Sequence, residues 1–178
     1  SKMNFGQYWD HFINLHGDKL GPKTRVSYEL EAENHIKPHL GQIPLPKLSA
    51  LHLQEYYAFE LREGKRETLE RKIKNYEKDY AKATKDNGEK SEEAKKINAN
   101  LKRARMRLVK MIKEDKCGLS PTSVNYQHRI IHKALKQATK WRLIQHNAAD
   151  AVDAPQPNET TMQYMKRQSV HKFLSGIK

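Results

Sequence analysis

The sequence predicts an all-α fold: a small orthogonal bundle of four to five helices with an antiparallel helical hairpin inserted into it. Three observations carry that prediction. Apolar residues recur at spacings of three and four along most of the chain. No segment alternates at period two for long enough to make a strand. Gly and Pro clusters at 17–22, 38–46, 118–121 and 155–157, with lone turns at Gly64 and Asn87-Gly88, cut the chain into helix-length pieces.

Composition narrows the class. The chain has 178 residues, with 34 Lys+Arg against 21 Asp+Glu, a net charge of +13. Apolar residues make up 37%, enough for a modest core but not for a chain packed equally well throughout. No stretch approaches the roughly 18 apolar residues of a membrane span, so no membrane partner is expected. Asn4-Phe5 after Met3 lacks the order of a secretion signal, and Ser1-Lys2 ahead of Met3 reads as a cloning remnant. One cysteine, Cys117, excludes an intramolecular disulfide and a multi-cysteine zinc site. The expected setting is the cytoplasm. A strongly basic balance points first to nucleic acid and second to an acidic protein partner.

The elements follow in order. Phe5, Tyr8-Trp9, Phe12 and Leu15 predict a first helix over about 4–15. A second starts at Pro22-Lys23-Thr24, with proline tolerated in the first turn, and runs to about His35, stopped by Pro38. A third starts near Ser49, an N-cap candidate, and carries Leu51, Leu53, Tyr56-Tyr57 and Leu61. Residues 64–117 differ in character. From Arg62 to Lys116 there are 19 basic and 11 acidic residues, so +8 of the +13 lies here. Leu69, Ile73, Tyr76, Tyr80 and Ala83 form one heptad seam; Ala94, Ile97, Leu101, Ala104, Leu108 and Met111 form another. Each arm is too short to stand alone, so the two are expected to pack as a coiled-coil-like antiparallel hairpin roughly 30–35 Å long. The alternative is a disordered charged linker.

The next helix is the most informative. It opens with Ser120-Pro121-Thr122, a serine N-cap with proline at the first helical position. Val124, Ile131, Leu135 and Ala138 share one face, extended by Ile130, Ala134 and Trp141, while Thr122, Asn125, Arg129, Lys133, Lys136 and Lys140 share the other. No acidic residue occurs between Pro121 and Asn147. A merely solvated face usually mixes both signs, whereas a single-sign stripe with Asn and Thr at its start suits phosphate and base contact.

Several blocks resemble a known family. They are Thr24 to Tyr28, His35-Ile36-Lys37-Pro38-His39-Leu40-Gly41-Gln42-Ile43-Pro44-Leu45, Leu119 to Asn125, Ala134 to Ala138, and Trp141-Arg142-Leu143-Ile144 leading into Asn147-Ala148-Ala149-Asp150-Ala151-Val152. In order and spacing they are similar to the core-binding domain of phage-type integrases, the tyrosine recombinases, with Ala148 in place of the usual proline. The resemblance implies a SAM-like helical domain over 3–155, with the hairpin insertion at about 64–117, that closes on one side of a DNA duplex. It makes Lys23, Thr24, Arg25 and Tyr28, with Ser120, Thr122, Asn125, Arg129, Lys133, Lys136 and Lys140, the candidate DNA contacts. The implied partners are double-stranded DNA and further protomers of the same recombinase, the fragment alone being monomeric. Residues 156–178 would be a linker and the truncated start of the catalytic domain. The nucleophilic tyrosine of the family lies in that domain, so no catalytic residue, metal or cofactor is assigned here and the fragment is expected to catalyse nothing. A rival reading makes the hairpin a protein-interaction arm that docks a second protomer or an acidic partner.

Other signals are weaker. His128 and His132 sit at i and i+4, but Arg129 stands where a metallopeptidase helix needs Glu. His35 and His39 are spaced alike across Pro38. Cys117 has no Cys–His–acid arrangement around it, and the eight glycines form no phosphate-cradling run. Trp9, Phe12, Tyr28, Tyr56 and Trp141 read as core.

Overall fold

A computed structural model of the chain describes residues 3–87 and 91–156. The linker and catalytic-domain start expected at 156–178 lie, from residue 157 on, outside the described residues. Among the described residues the fold is all-α. The helices are α1 (Phe5–His16), α2 (Pro22–Glu31), α3 (Lys37–Leu40), α4 (Ala50–Asn87), α5 (Glu92–Lys113) and α6 (Pro121–Lys140), with a closing 3₁₀ turn at Ala148–Ala151.

α1 is the aromatic heart of the bundle. Phe5, Tyr8, Trp9 and Phe12 recur along one side and are fully buried. An Asn4–Gln7 capping box satisfies its first N–H groups. The Tyr8 hydroxyl crosses to α6 and donates to the Ala134 carbonyl at 2.6 Å. Ile36, Leu40, Leu45, Leu53, Ile130, Ile131 and Leu135 complete the core. A second cluster, separate from the first, lies along the hairpin: Leu69 and Ile73 of α4 against Leu101 and Ala104 of α5, flanked by Tyr76, Leu108 and Met111. Every position of both sequence seams is buried or half-buried. Arg105 of α5 reaches Glu77 of α4 at 2.8 Å across the pair.

Two boundaries depart from expectation. Pro38 does not stop the second helix. A π-helical turn at Ala32–Ile36 joins α2 to α3, so the rod runs on to Leu40. Pro38 has no N–H for the Asn34 carbonyl four residues back. That carbonyl accepts instead from the Thr68 hydroxyl, at 3.4 Å, and from the Arg71 guanidinium, both on α4. The continuous rod also separates the partners of His35 and His39: the first pairs with Glu60 at 2.9 Å and the second with Glu67 at 2.7 Å.

Gly64 does not break the third helix either. α4 runs unbroken from Ala50 to Asn87 as both a bundle helix and the first hairpin arm. A Cβ at position 64 would lie 2.3 Å from Glu60 Oε2 and 3.2 Å from Leu119 Cγ, so the glycine makes room for a buried carboxylate and for the returning chain. That chain is sewn to α4 by its backbone. Leu119 N donates to Glu60 O at 2.8 Å, while Lys65 N and Arg66 N donate to Cys117 O at 2.9 and 3.1 Å.

α6 ends in a Schellman motif: Leu143 N donates to Ala138 O, and Arg142 N to Thr139 O, each at 3.0 Å. Arg142 takes the left-handed position, with φ 58°. A side chain there costs about 1–2 kcal/mol, partly offset by the lower chain entropy of a non-glycine in the unfolded state. Arg142→Gly is therefore expected to stabilise the fold by about 0.5–1 kcal/mol, raising Tm by roughly 1–4 °C in a thermal melt.

Candidate nucleic-acid interface

The interface builds from the start of α6. Ser120 is extended (φ −71°, ψ 151°), and its hydroxyl accepts from Ser123 N at 3.2 Å, so the predicted N-cap is in place. From there the helix sorts its residues cleanly. Val124, Ile130, Ile131, Ala134, Leu135 and Ala138 are buried; Thr122, Arg129, Lys133, Lys136 and Lys140 are exposed. Gln127, which continues the apolar face by spacing, is fully buried as well. It is satisfied on both sides, accepting from the Tyr56 hydroxyl at 3.0 Å and donating to Glu31 Oε2 at 3.1 Å.

α2 packs beside this basic face. Ser27 Oγ and Tyr126 OH lie 2.9 Å apart, and Tyr28 meets the Tyr126 ring edge-on at 6.5 Å. Lys133 Nζ sits 5.6 Å above the Tyr28 ring, a cation–π contact that holds its ammonium between the two helices. Lys23 and Thr24 are exposed in the first turn of α2, and Arg25 pairs with Glu29 at 3.0 Å. Residues from two separate sequence segments thus share one surface. The end of α1 joins it: His16 stacks on Phe12 at 5.4 Å, and its pKa is lowered by burial and by the charges of Lys19, Lys133 and Lys140.

Not every candidate has the same freedom. Tyr28 is buried, so it serves as a platform for Lys133 and packs as the sequence suggested. Asn125 is half-buried, and its amide donates to the Pro155 carbonyl at 3.1 Å, fastening the outgoing chain to α6. Beyond Lys136 and Lys140 the face opens into a cleft of about 570 Å³, also lined by Gln145 and His146. Sequence spacing gave no hint of His16, Lys19 or His146, since none of them lies on α6.

The histidine pair on α6 is divided between partners. His128 Nδ1 lies 3.0 Å from the Tyr57 hydroxyl, while His132 Nε2 donates to Asp150 at 2.7 Å. Asp150 also accepts from the Asn147 amide at 3.1 Å, and Asn147 caps the Ala148–Ala151 turn by accepting from Ala149 N at 3.0 Å. Among the described residues no group of three or more His, Cys, Asp or Glu is placed to hold a metal ion. None of their helices is long and apolar enough to cross a membrane.

Burial, and then His132, lower the pKa of His128. Its folded value lies below the unfolded value of about 6.5, so the unfolded chain binds the extra proton first as pH falls. Stability is expected to drop as pH falls through about 6.5 and below. His128→Gln should flatten that part of a Tm-against-pH curve.

Comparison with known families finds a likeness for the first third of the chain. Residues 4–61 match the phage integrase, N-terminal SAM-like domain family. Over this segment the chain is similar to an integrase SAM-like domain. The segment spans α1, α2, α3 and the first turns of α4. The match stops at Leu61, where the SAM-like segment meets the junction with the returning chain around Gly118. No curated protein and no solved structure gives a significant match to the chain.

Proposed function

We propose that this chain is the DNA-binding portion of a site-specific integrase, and that it seats on duplex DNA at the crossover site through the face shared by α2 and α6. The single observation that carries this reading is the joining of the two helices into one basic surface. Lys133 bridges them over Tyr28, with Arg129, Lys136 and Lys140 on one flank and Lys23 and Thr24 on the other. Phosphates would be met by these cations and by the free N–H groups at the starts of α2 and α6, which place the protein in register along the duplex. Further protomers would assemble on the same DNA. The cleaving and joining chemistry belongs, on this reading, to the catalytic domain that the family carries C-terminal to this one. Such a protein works in the cytoplasm, beside the DNA it acts on.

An NMR titration tests the placement. Adding duplex DNA is expected to shift backbone amides of residues 122–140 and of the first turns of α2. Shifts confined to α5 would contradict it.

One observation favours a second reading. Met106, Val109 and Ile112 form an exposed apolar stripe on α5, fit for a protein partner. The two readings separate on deletion of residues 66–116, because Lys65 and Cys117 are already hydrogen-bonded neighbours. Duplex binding that survives the deletion supports the α2–α6 face; absence of duplex binding by the intact chain, with self-association that the deletion abolishes, supports the second reading.

A further inference from the structure

We propose that the cleft between the base of the hairpin and the bundle is a second phosphate site, which carries the duplex footprint from the α2–α6 face onto the hairpin. The inference rests on the DNA-binding reading above and adds a site whose cations, Lys65, Lys72 and Arg107, lie outside the segment matched by the family.

The charge of the hairpin is unevenly placed. Residues 77–97, the distal half, hold six basic and six acidic residues. All of the +8 therefore lies in the half beside the bundle. The carboxylates there are largely committed: Glu67 to His39, Glu63 and Glu70 to Arg66, and Glu114 to Lys116, while neighbouring Glu60 is held by His35. Lys65 and Lys72 of α4 and Arg107 of α5 are among the cations left over. Among the described residues none of the three has a carboxylate within ion-pair distance.

These three cations line one cleft of about 150 Å³, together with the Thr68 hydroxyl, His35 of the π-helical turn and Leu69. The volume suits a small oxyanion. α4 and α5 bring the three side chains to one cleft, where their like charges repel. An oxyanion in the cleft removes that repulsion and takes hydrogen bonds from ammonium, guanidinium and hydroxyl together. His35 lies on the same helical rod that carries Lys23, Thr24 and Arg25 at its start, so α2 runs from one site to the other. The chemistry is that of a phosphodiester: singly charged, tetrahedral and repeated along a backbone. A neutral distal half and a basic proximal half are what a duplex crossing only the base of the hairpin would select.

The test compares three double variants for fluorescence anisotropy on one duplex of about 30 base pairs, long enough to span both sites. K72Q/R107Q removes two cations of the cleft, K133Q/K136Q two of the α2–α6 face, and K95Q/K96Q two near the hairpin tip. All six residues are exposed, and equal Tm values confirm that each variant is folded. The slope of log affinity against log salt is expected to shrink by about two for K72Q/R107Q and to stay unchanged for K95Q/K96Q. An unchanged slope for K72Q/R107Q beside a reduced one for K133Q/K136Q overturns the second site and leaves the DNA reading standing. No change in either pair removes the DNA reading, and this proposal with it.

Discussion

Lys133→Glu with Lys136→Glu is expected to lower affinity for duplex DNA by about 30-fold or more at 0.15 M salt. Each phosphate contact contributes a salt slope of about −0.9, which is roughly fivefold in affinity at that salt concentration relative to 1 M. Two lost contacts multiply to about 30-fold, and the introduced carboxylates repel the backbone further. Both side chains are exposed on α6, so the fold tolerates the change. The effect should be nearly the same on unrelated duplexes, because phosphates carry no sequence information. Lys133 matters in a second way, since its ammonium is placed by the Tyr28 ring. Tyr28→Leu should keep much of the packing and lose part of that placement, giving a smaller loss of affinity. Anisotropy on two duplexes of different sequence checks both expectations; equal affinities for wild type and the double variant would remove α6 from the interface.

Gly118→Ala is expected to be the most damaging single methyl in the protein. A Cβ there would lie 1.7 Å from Leu61 O and 2.4 Å from Leu61 C, both backbone atoms of α4. Neither can rotate away, so the returning chain must lift off. The hydrogen bonds from Leu119 N to Glu60 O, and from Lys65 N and Arg66 N to Cys117 O, are then strained or lost. Overpacking of this kind costs typically 1–3 kcal/mol, and each backbone bond adds about 1 kcal/mol. We expect a loss of about 3 kcal/mol, a fall in Tm of roughly 6–12 °C. Gly64→Ala meets a carboxylate side chain rather than backbone at its shortest contact, and should cost less. A thermal melt of the two variants checks the order.

What the sequence made legible was whatever depends on periodicity. The aromatic spacing of α1, the two hairpin seams, and the division of α6 into apolar and basic faces all follow from side chains that recur every three or four residues. The Ser120-Pro121 start of α6 was legible because capping is local chemistry. Pro38 and Gly64 misled for one reason: their local cost is met by residues far away in the chain. Thr68 and Arg71 take the carbonyl that Pro38 leaves unpaired, and Leu119 fills the space that Gly64 opens. The same limit applied at the interface. The basic stripe of α6 could be read from the sequence alone, but not the Tyr28–Lys133 contact that joins it to α2. The tie from Asn125 to Pro155 was equally hidden, since thirty residues separate the partners.

The proposed function requires that the positive charge of this chain meet DNA. Fluorescence anisotropy of the intact protein with a labelled duplex, titrated at several salt concentrations, tests it most directly. Saturable binding is expected, with an affinity that falls steeply and linearly on a log–log salt plot, each phosphate contact adding about −0.9 to the slope. Absence of binding at low salt would contradict it, and would assign the +13 to a protein partner instead.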